Sequence, residues 1–499
     1  MTAHQITVAE RLMVIDGKDV GAAADEWFER ESPAHDVVVG RYPQARPDDV
    51  DRAVRAARRA FDEGPWPRLS GADRARLLHK VAELIRRDSE QLARTEVLES
   101  GKPITQARDE IEGSAGLWEY AATLARHSYG DAHNQLGDDV LALVVHEPVG
   151  VVAVITPWNF PLLIASQKLP FALAVGCTAV VKPSELTPGT TVQLTRLLLE
   201  AGIPDGVVNT VTGAGETGAA LTSHPGVDLV SFTGSTEVGR LVARTAGGQL
   251  KRVELELGGK NPQIVLSDAD LDAALDAIVF GIYFNAGECC NSGSRVLVHR
   301  DIAEELQAAV VERSRRVPVG DPLDETTKVG AIVNQEQLDT IERYVGEGNA
   351  AGAQLLLGGD RLELPTATGR FYRPTVFTGV TEEMSIAREE IFGPVLSLLT
   401  FDDLDDAIRI ANSTMYGLSA GIWTRNIDAA LTAARGIRAG TVWVNRWMDG
   451  YPELPFGGYG ASGLGRELGR QAIAAFTETK TVQLQVGARV ARWLPEEAS

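Results

Sequence analysis

Residues 150–185 read GVVAVITPWNFPLLIASQKLPFALAVGCTAVVKPSE. GVVAVITP is a short apolar run of the kind a strand buried on both faces needs, and TAVVKPS is a second one. Between them LLIASQKLPFALAVG is a helix. The alternation continues: TPGTTVQLTRLLLEAG is a helix, GVVNTVTG a strand, ETGAALTSH a short helix, VDLVSFTG a strand and STEVGRLVARTAG a helix. Strands separated by helices imply crossover connections and a parallel sheet, whose usual guest is a nucleotide at the carboxyl ends of the strands.

Outward from this core the texture changes on both sides. Residues 48–127 repeat apolar positions at three- and four-residue spacing and predict several helices. Beyond KRVELELGGKNP the alternation resumes with NPQIVLSD, LDAALDAIVFGIYFNAG, SRVLVHR and IAEELQAAVVERSRRV, which predicts a second α/β unit. GDDVLALVVHEPVG (137–150) and KTVQLQV (480–486) alternate as strands far from any sheet partner in the chain. They are expected to form a small extension that pairs with another subunit.

At 499 residues the chain exceeds one simple core. A net charge of −20 disfavours nucleic acid or an anionic membrane as partner. Three cysteines cannot build a disulfide framework and point to a reducing, cytoplasmic setting. The N-terminus has no basic start followed by an apolar run, and Pro148, Pro157, Asn159 and Pro161 interrupt the most apolar stretch, so no membrane span is expected.

Chemistry concentrates in five places. FNAGECCNSGSR (284–295) sets Cys289 and Cys290 in a polar loop, where a thiolate could act as nucleophile. The same residues also suit simple burial, whereas adjacent cysteines lack zinc-site spacing and a disulfide between them would be strained. In VELELGGKNP, Glu254 and Glu256 share one face of a strand that ends at Gly258-Gly259. Glu256 there is either a general base of raised pKa or the partner in a salt bridge. In TPWNFP two prolines fix Asn159, an amide that can serve a developing oxyanion or cap the next helix. FTGSTEVG offers Gly234, Ser235 and a helix N-terminus to a pyrophosphate. In VVKPSE, Lys182 and Glu185 suit ribose hydroxyls, and the glutamate would repel a 2′-phosphate, favouring NAD over NADP.

Taken with ESGKP, EEIFGPV and PFGGYGASGLGRELG, these motifs run in family order along nearly the whole chain. The sequence resembles the aldehyde dehydrogenase superfamily, in its NAD(P)-dependent, non-phosphorylating, hydrolytic branch. The resemblance implies a Rossmann-like parallel-sheet cofactor domain (1–130 and 149–258), a second α/β catalytic domain (259–470) and a small β oligomerisation extension (131–148 and 478–499). It makes Cys290 the nucleophile, Glu256 the base, and Asn159 with the Cys290 backbone N–H the oxyanion donors. It puts NAD against Thr156, Trp158, Lys182, Ser184, Glu185, Gly215, Gly234, Ser235, Leu257, Gly258, Glu390 and Phe392. Glu467 matches an auxiliary glutamate, and Arg295 reads as structural. Phe160, Ile164, Gln167 and Phe284 would line the aldehyde pocket. Arg446, in the departing loop RWMDGYPEL, is a candidate for a substrate carboxylate or a solvated surface charge. No metal is implied, and a homodimer or homotetramer is expected.

The implied reaction is oxidation of a small aldehyde to its acid through a cysteine thioester that Glu256-activated water hydrolyses. A semialdehyde or aminoaldehyde specificity is the near alternative. A cysteine esterase or acyl transferase, or a silent cofactor-binding protein, are the distant ones.

Overall fold

The computed structural model describes residues 6–364, 367–487 and 493. Five strands lie parallel in one sheet: Val151–Ile155, Thr178–Lys182, Val208–Thr210, Leu229–Thr233 and Arg252–Glu256. Every residue of the first two is buried, which is why they read as unbroken apolar runs. From Val151–Ile155 the chain steps outward to Thr178–Lys182 and Val208–Thr210. It then returns to the opposite side of Val151–Ile155 to lay down Leu229–Thr233 and Arg252–Glu256. That reversal opens a crevice at the carboxyl ends of Val151–Ile155 and Leu229–Thr233, the topological switch point of the sheet. Short antiparallel strands, Gly463–Leu464 at one edge and Met13–Ile15 with Lys18–Val20 at the other, complete it. The parallel α/β architecture expected from the sequence is the one observed.

Helix Pro161–Val175 begins with a proline where no N–H is needed and is buried along almost its whole length, packing on helix Ile104–Ala125. A second sheet carries six parallel strands in the order Thr375–Thr378, Val395–Phe401, Arg295–His299, Pro262–Val265, Ser419–Trp423 and Thr441–Val444, with Gln354–Leu357 antiparallel at its edge. Only residues 257–261 separate Arg252–Glu256 of the first sheet from Pro262–Val265 of the second. Pro262 pairs with Arg295 in the parallel ladder. Two segments therefore enter the seam between the sheets side by side: the one after Glu256 and the one after Cys290.

Val140–Pro148 and Thr477–Gln485 pair with each other, from Thr477 opposite Pro148 to Gln485 opposite Val140, and Asp131–His133 adds a third strand. Their ladder partner thus lies within the chain. Residues 488–492 and 494–499 of the anticipated extension lie outside the described residues. Among the described residues no helix is long and apolar enough to cross a membrane.

Arg295 is structural, as the sequence suggested. Its guanidinium is buried and donates to the carbonyls of Lys260 (3.1 Å), Ile410 (3.2 Å) and Ala411 (3.0 Å). Burial lowers its pKa to about 10, so it remains a cation at neutral pH. Arg295→Met would leave the buried Lys260 and Ala411 carbonyls without a partner, while Ile410 keeps the Ser413 N–H and hydroxyl. We expect a loss of about 3 kcal/mol or more, read as a fall in the thermal unfolding midpoint; an unchanged midpoint would show that water replaces the guanidinium without penalty.

Candidate active site

The cysteine loop follows helix Leu271–Tyr283 through an unusual turn. The sequence predicted that Gly287 breaks the helix. Instead the helix ends at Tyr283, and Asn285 (φ 50°), Ala286 (φ 57°) and Gly287 (φ 75°) all take left-handed backbone. Two non-glycine residues in that region cost about 1–2 kcal/mol each, so tertiary contacts must hold them there. The Asn285 side chain donates to the carbonyls of Glu288 (3.0 Å) and Asn159 (3.3 Å), and its backbone N–H donates to Gln106 Oε1 (3.0 Å). The buried Glu288 carboxylate accepts the Val333 N–H at 3.0 Å. A Cβ on Gly287 would strike the Gly393 carbonyl, so only glycine fits the third position.

Beyond the turn Cys289 is buried and Cys290 half-exposed. Asn261 Nδ2 donates to the carbonyls of Cys290 (2.7 Å) and Ser292 (2.9 Å), and Asn261 Oδ1 accepts the Ser419 N–H (3.1 Å). That amide ties the loop to the strand start beside it. Contact with the Cys289 thiol, burial, and the carboxylates of Glu390 and Glu256 raise the Cys290 pKa well above the ordinary thiol range. The sulfur therefore lies within electrostatic reach of both carboxyls. The sequence placed a possible thiolate in a polar loop; the structure sets two carboxyls within electrostatic reach of that sulfur.

Glu256 ends strand Arg252–Glu256 and is 4 % exposed, with Oε2 unpaired among the described residues. Burial, then the neighbouring Glu467, push its carboxyl well above the usual range. Glu467 forms an ion pair with Lys168, which also donates to Ser231 Oγ at 3.2 Å. Lys168 sits in the apolar helix Pro161–Val175 and is fully buried. The sequence reading passed over it, although a single lysine inside so apolar a helix, in a chain with only nine lysines, was a signal. Glu390 accepts the Gly259 N–H at 3.1 Å, and burial raises it to about 7. Lys260 was also missed: its amine is buried without a hydrogen bond among the described residues, and burial lowers it to about 7.

Asn159 is buried at the start of the helix, but its side chain does not cap it. Nδ2 donates to the Glu288 carbonyl at 3.1 Å, inside the cysteine loop, leaving its second N–H for another acceptor.

The crevice at the switch point gathers the cofactor candidates. Thr156 follows Val151–Ile155 and Thr233 closes Leu229–Thr233; both hydroxyls are shielded from solvent and unpaired among the described residues. Gly234 follows, and a Cβ there would crowd the Phe232 ring at 2.6 Å. Ser235 caps helix Thr236–Gly247 by accepting the Val238 N–H at 3.3 Å, so its oxygen is partly committed. Lys182 Nζ lies 3.4 Å from Glu185 at the end of the next strand, and Ser184 Oγ accepts the Leu186 N–H at 3.2 Å. Gly215 opens helix Gly215–Ser223 with nothing within 4 Å of a Cβ position. Trp158 and Phe392 meet edge to face at 5.3 Å. Leu257 is buried against Gly239, and a Cβ on Gly258 would overlap the Glu390 carboxyl. Unpaired hydroxyls and side-chain-free backbone beside a switch point suit a dinucleotide.

A family model described as the aldehyde dehydrogenase family matches residues 20–482. The chain is 47 % identical over 443 residues to human retinaldehyde dehydrogenase 3, covering 88 % of this chain and 86 % of that protein. The chain belongs to the aldehyde dehydrogenase family. It is 40 % identical over 483 residues to the betaine aldehyde dehydrogenase of Bacillus subtilis, covering 96 % and 99 %. The crystal structure of an NAD-dependent aldehyde dehydrogenase from Sinorhizobium meliloti superposes with a TM-score of 0.97 at 53 % identity, covering 99 % of this chain and 98 % of that one.

In this aldehyde dehydrogenase an apolar wall stands beside the cysteines. Phe160 stacks on Phe284 with centroids 5.8 Å apart, and Ile164 and Cys289 pack with them. Met448, which sequence reasoning did not single out, joins the cluster. Gln167 is half-buried on the same helix. Arg446 is not brought to this wall. It stands on the surface, ion-paired with Asp449 and donating to Tyr451 Oη at 2.9 Å, because a solvated arginine with a carboxylate three residues on has no reason to enter an apolar pocket.

Because the acids around it raise the Cys290 pKa, its alkylation by iodoacetamide in the absence of cofactor should keep accelerating past about pH 8.5, the ordinary thiol midpoint. A rate already level near neutrality would contradict the electrostatic setting described.

Proposed function

We propose that the protein oxidises an aldehyde to its carboxylic acid with NAD as acceptor, and that Cys290, Asn159 and Glu256 carry the chain's part. One observation carries the reading: the segment after Glu256 runs against the cysteine loop, where a Cβ on Gly259 would lie 2.8 Å from the Cys290 carbonyl and the Gly259 N–H donates to Glu390 at 3.1 Å, so thiol and both carboxyls meet at the seam. A thiol with no reaction to perform would gain nothing from two buried acids beside it.

Cys290 Sγ loses its proton to water and, as thiolate, forms a bond to the aldehyde carbon while the C=O π pair moves to oxygen. The free N–H of Asn159 and the Cys290 backbone N–H receive the oxygen as its negative charge grows. Asn159 is already fixed by its bond to the Glu288 carbonyl, so little reorganisation precedes that step. Bound NAD supplies the hydride acceptor that no side chain can provide, and the acyl group then remains on sulfur as a thioester. Glu256, held at raised pKa, takes a proton from water as that water attacks the thioester carbon; the C–S bond breaks and the acid leaves. Glu467, with Lys168 as counter-ion, sits beside Glu256 as an acceptor for that proton.

Lys182 and Glu185 would hold the adenosine ribose, and the carboxylate disfavours a 2′-phosphate. The wall of Phe160, Phe284, Ile164 and Met448 favours an aldehyde with an uncharged, apolar chain. A semialdehyde is less well served, since Arg446 is committed to Asp449.

Cys290→Ala should abolish oxidation while NAD binding, followed by fluorescence quenching, survives; near-normal turnover would overturn the assignment. Glu256→Gln should still release one equivalent of NADH in a burst, with the steady rate down about 10²–10⁴-fold. Asn159→Ala should lower the burst rate itself, by about 10²–10³-fold. Rapid-mixing absorbance at the nicotinamide band separates the two outcomes.

A further inference from the structure

Strand Arg252–Glu256 carries Glu254 and Glu256 to the same side, two residues apart. Only Glu256 has a part in the reaction above. Glu254 lies one pleat further out, half-buried, with Oε2 shielded from solvent and unpaired among the described residues. Glu467, Lys168, Arg252, Glu256 and the Arg466 backbone N–H face it or lie within its electrostatic reach. The cations are committed elsewhere. Lys168 pairs with Glu467; Arg252 pairs with Glu478 at 3.0 Å; the Arg466 guanidinium donates to the carbonyls of Gly458 (3.0 Å) and Gly465 (2.6 Å).

Three carboxyls, Glu254, Glu256 and Glu467, therefore surround one ammonium, and like charges so placed cannot all be ionised. Burial, then the Glu467 charge, push Glu254 up to about 7, and Glu256 and Glu467 are raised as well. On its outer side Glu254 lines a surface cavity of about 600 Å³ together with Arg252, Gly465, Arg466 and Gln471. Gly465 has φ 91°, and a Cβ there would overlap the Glu254 carboxyl. The glycine thus leaves room for an acid with Glu467 inside it and open solvent outside it.

We propose that Glu254 is the outer step of a proton-release path that runs from Glu256 through Glu467 to water in this cavity. The proposal rests on the hydrolytic reading of the site. Deacylation breaks a water O–H bond and the C–S bond and forms the new C–O bond; the water proton stays on Glu256, and the electron pair left on Sγ takes up the proton of the product acid, which leaves as carboxylate. Glu467 takes that proton from Glu256, Glu254 takes it from Glu467, and cavity water takes it from Glu254. Among the described residues no carboxyl–carboxyl hydrogen bond joins the three, so each hop crosses a water. Glu256 returns to its basic form and one proton reaches solvent per acyl group hydrolysed. Glu254 touches neither substrate nor thioester; it acts through Glu467.

The full-length protein with p-nitrophenyl acetate and no NAD separates acylation, seen as a p-nitrophenol burst, from deacylation, seen as the steady rate. Glu254→Gln should keep the burst and lower the steady plateau about five-fold, and added formate or imidazole should restore it. The rising limb of the steady rate should also move to lower pH, because removing a negative neighbour lets Glu256 ionise more easily. Glu254→Ala, which opens the cavity to formate, should show the same loss with stronger rescue and covers the case in which the glutamine packs badly. Wild-type deacylation in both variants from about pH 6 to about pH 9 would overturn the proposal. So would slowing that no buffer relieves with an unmoved limb, since that is the behaviour of a packing residue. Loss of the burst in both variants would overturn it too, because a release step must leave acylation intact. Absence of the burst in the unsubstituted protein would instead remove the hydrolytic reading itself.

Discussion

Arg295 is the cation on which the seam between the two sheets depends. Its three hydrogen bonds join the start of its own strand to Lys260, in the crossing segment, and to the chain at Ile410 and Ala411. Arg295 is also the residue opposite Pro262 in the ladder. The crossing segment begins just after Glu256 and the Arg295 strand just after the cysteine loop. One buried guanidinium thus holds in register the two segments that deliver the thiol and the base. Its bonds run to backbone carbonyls, so the register depends little on which side chains surround it.

Within that frame, desolvation governs the chemistry. Glu254, Glu256, Glu467 and Glu390 are all raised, and burial is the leading cause in each. Among the described residues only Lys168 forms an ion pair with any of them, and it pairs with Glu467. In water four carboxyls would simply ionise; in a seam of low dielectric the ionised form is penalised in each, and the Lys168 ammonium offsets that penalty at Glu467. The same setting keeps Cys290 as a thiol until an acceptor for its proton is available. The site is a cluster of buried carboxyls with a sulfur at its edge.

The candidate residues were legible because each stands where a strand or helix ends. Asn159 lies between two prolines, Glu256 ahead of two glycines, and Cys290 past a glycine, so short patterns mark them. Motif order along the chain then assigned them to a family. Residues whose importance depends on what lies opposite were harder to find. Lys168 is one residue in a helix until Glu467, far away in the chain, is brought against it. Met448 is an ordinary loop residue until it closes on Phe160. Asn285 and Ala286 give no local sign of left-handed backbone, since that conformation is imposed by Glu288, Gln106 and Asn159. For Arg446, where the sequence left a substrate carboxylate and a solvated surface charge both open, the pairing with Asp449 three residues on corresponds to the second.

The alternation of apolar runs with helices determined by itself that a parallel sheet forms and that its strand ends carry the chemistry, because period and burial are properties of the local chain. Strand order, and with it the position of the crevice, came only from the tertiary structure, since hydrophobic runs do not encode which neighbour they choose. Protonation was likewise decided in three dimensions: the charge state of a carboxyl depends on the distance to other charges and to water, and residues far apart in sequence set both.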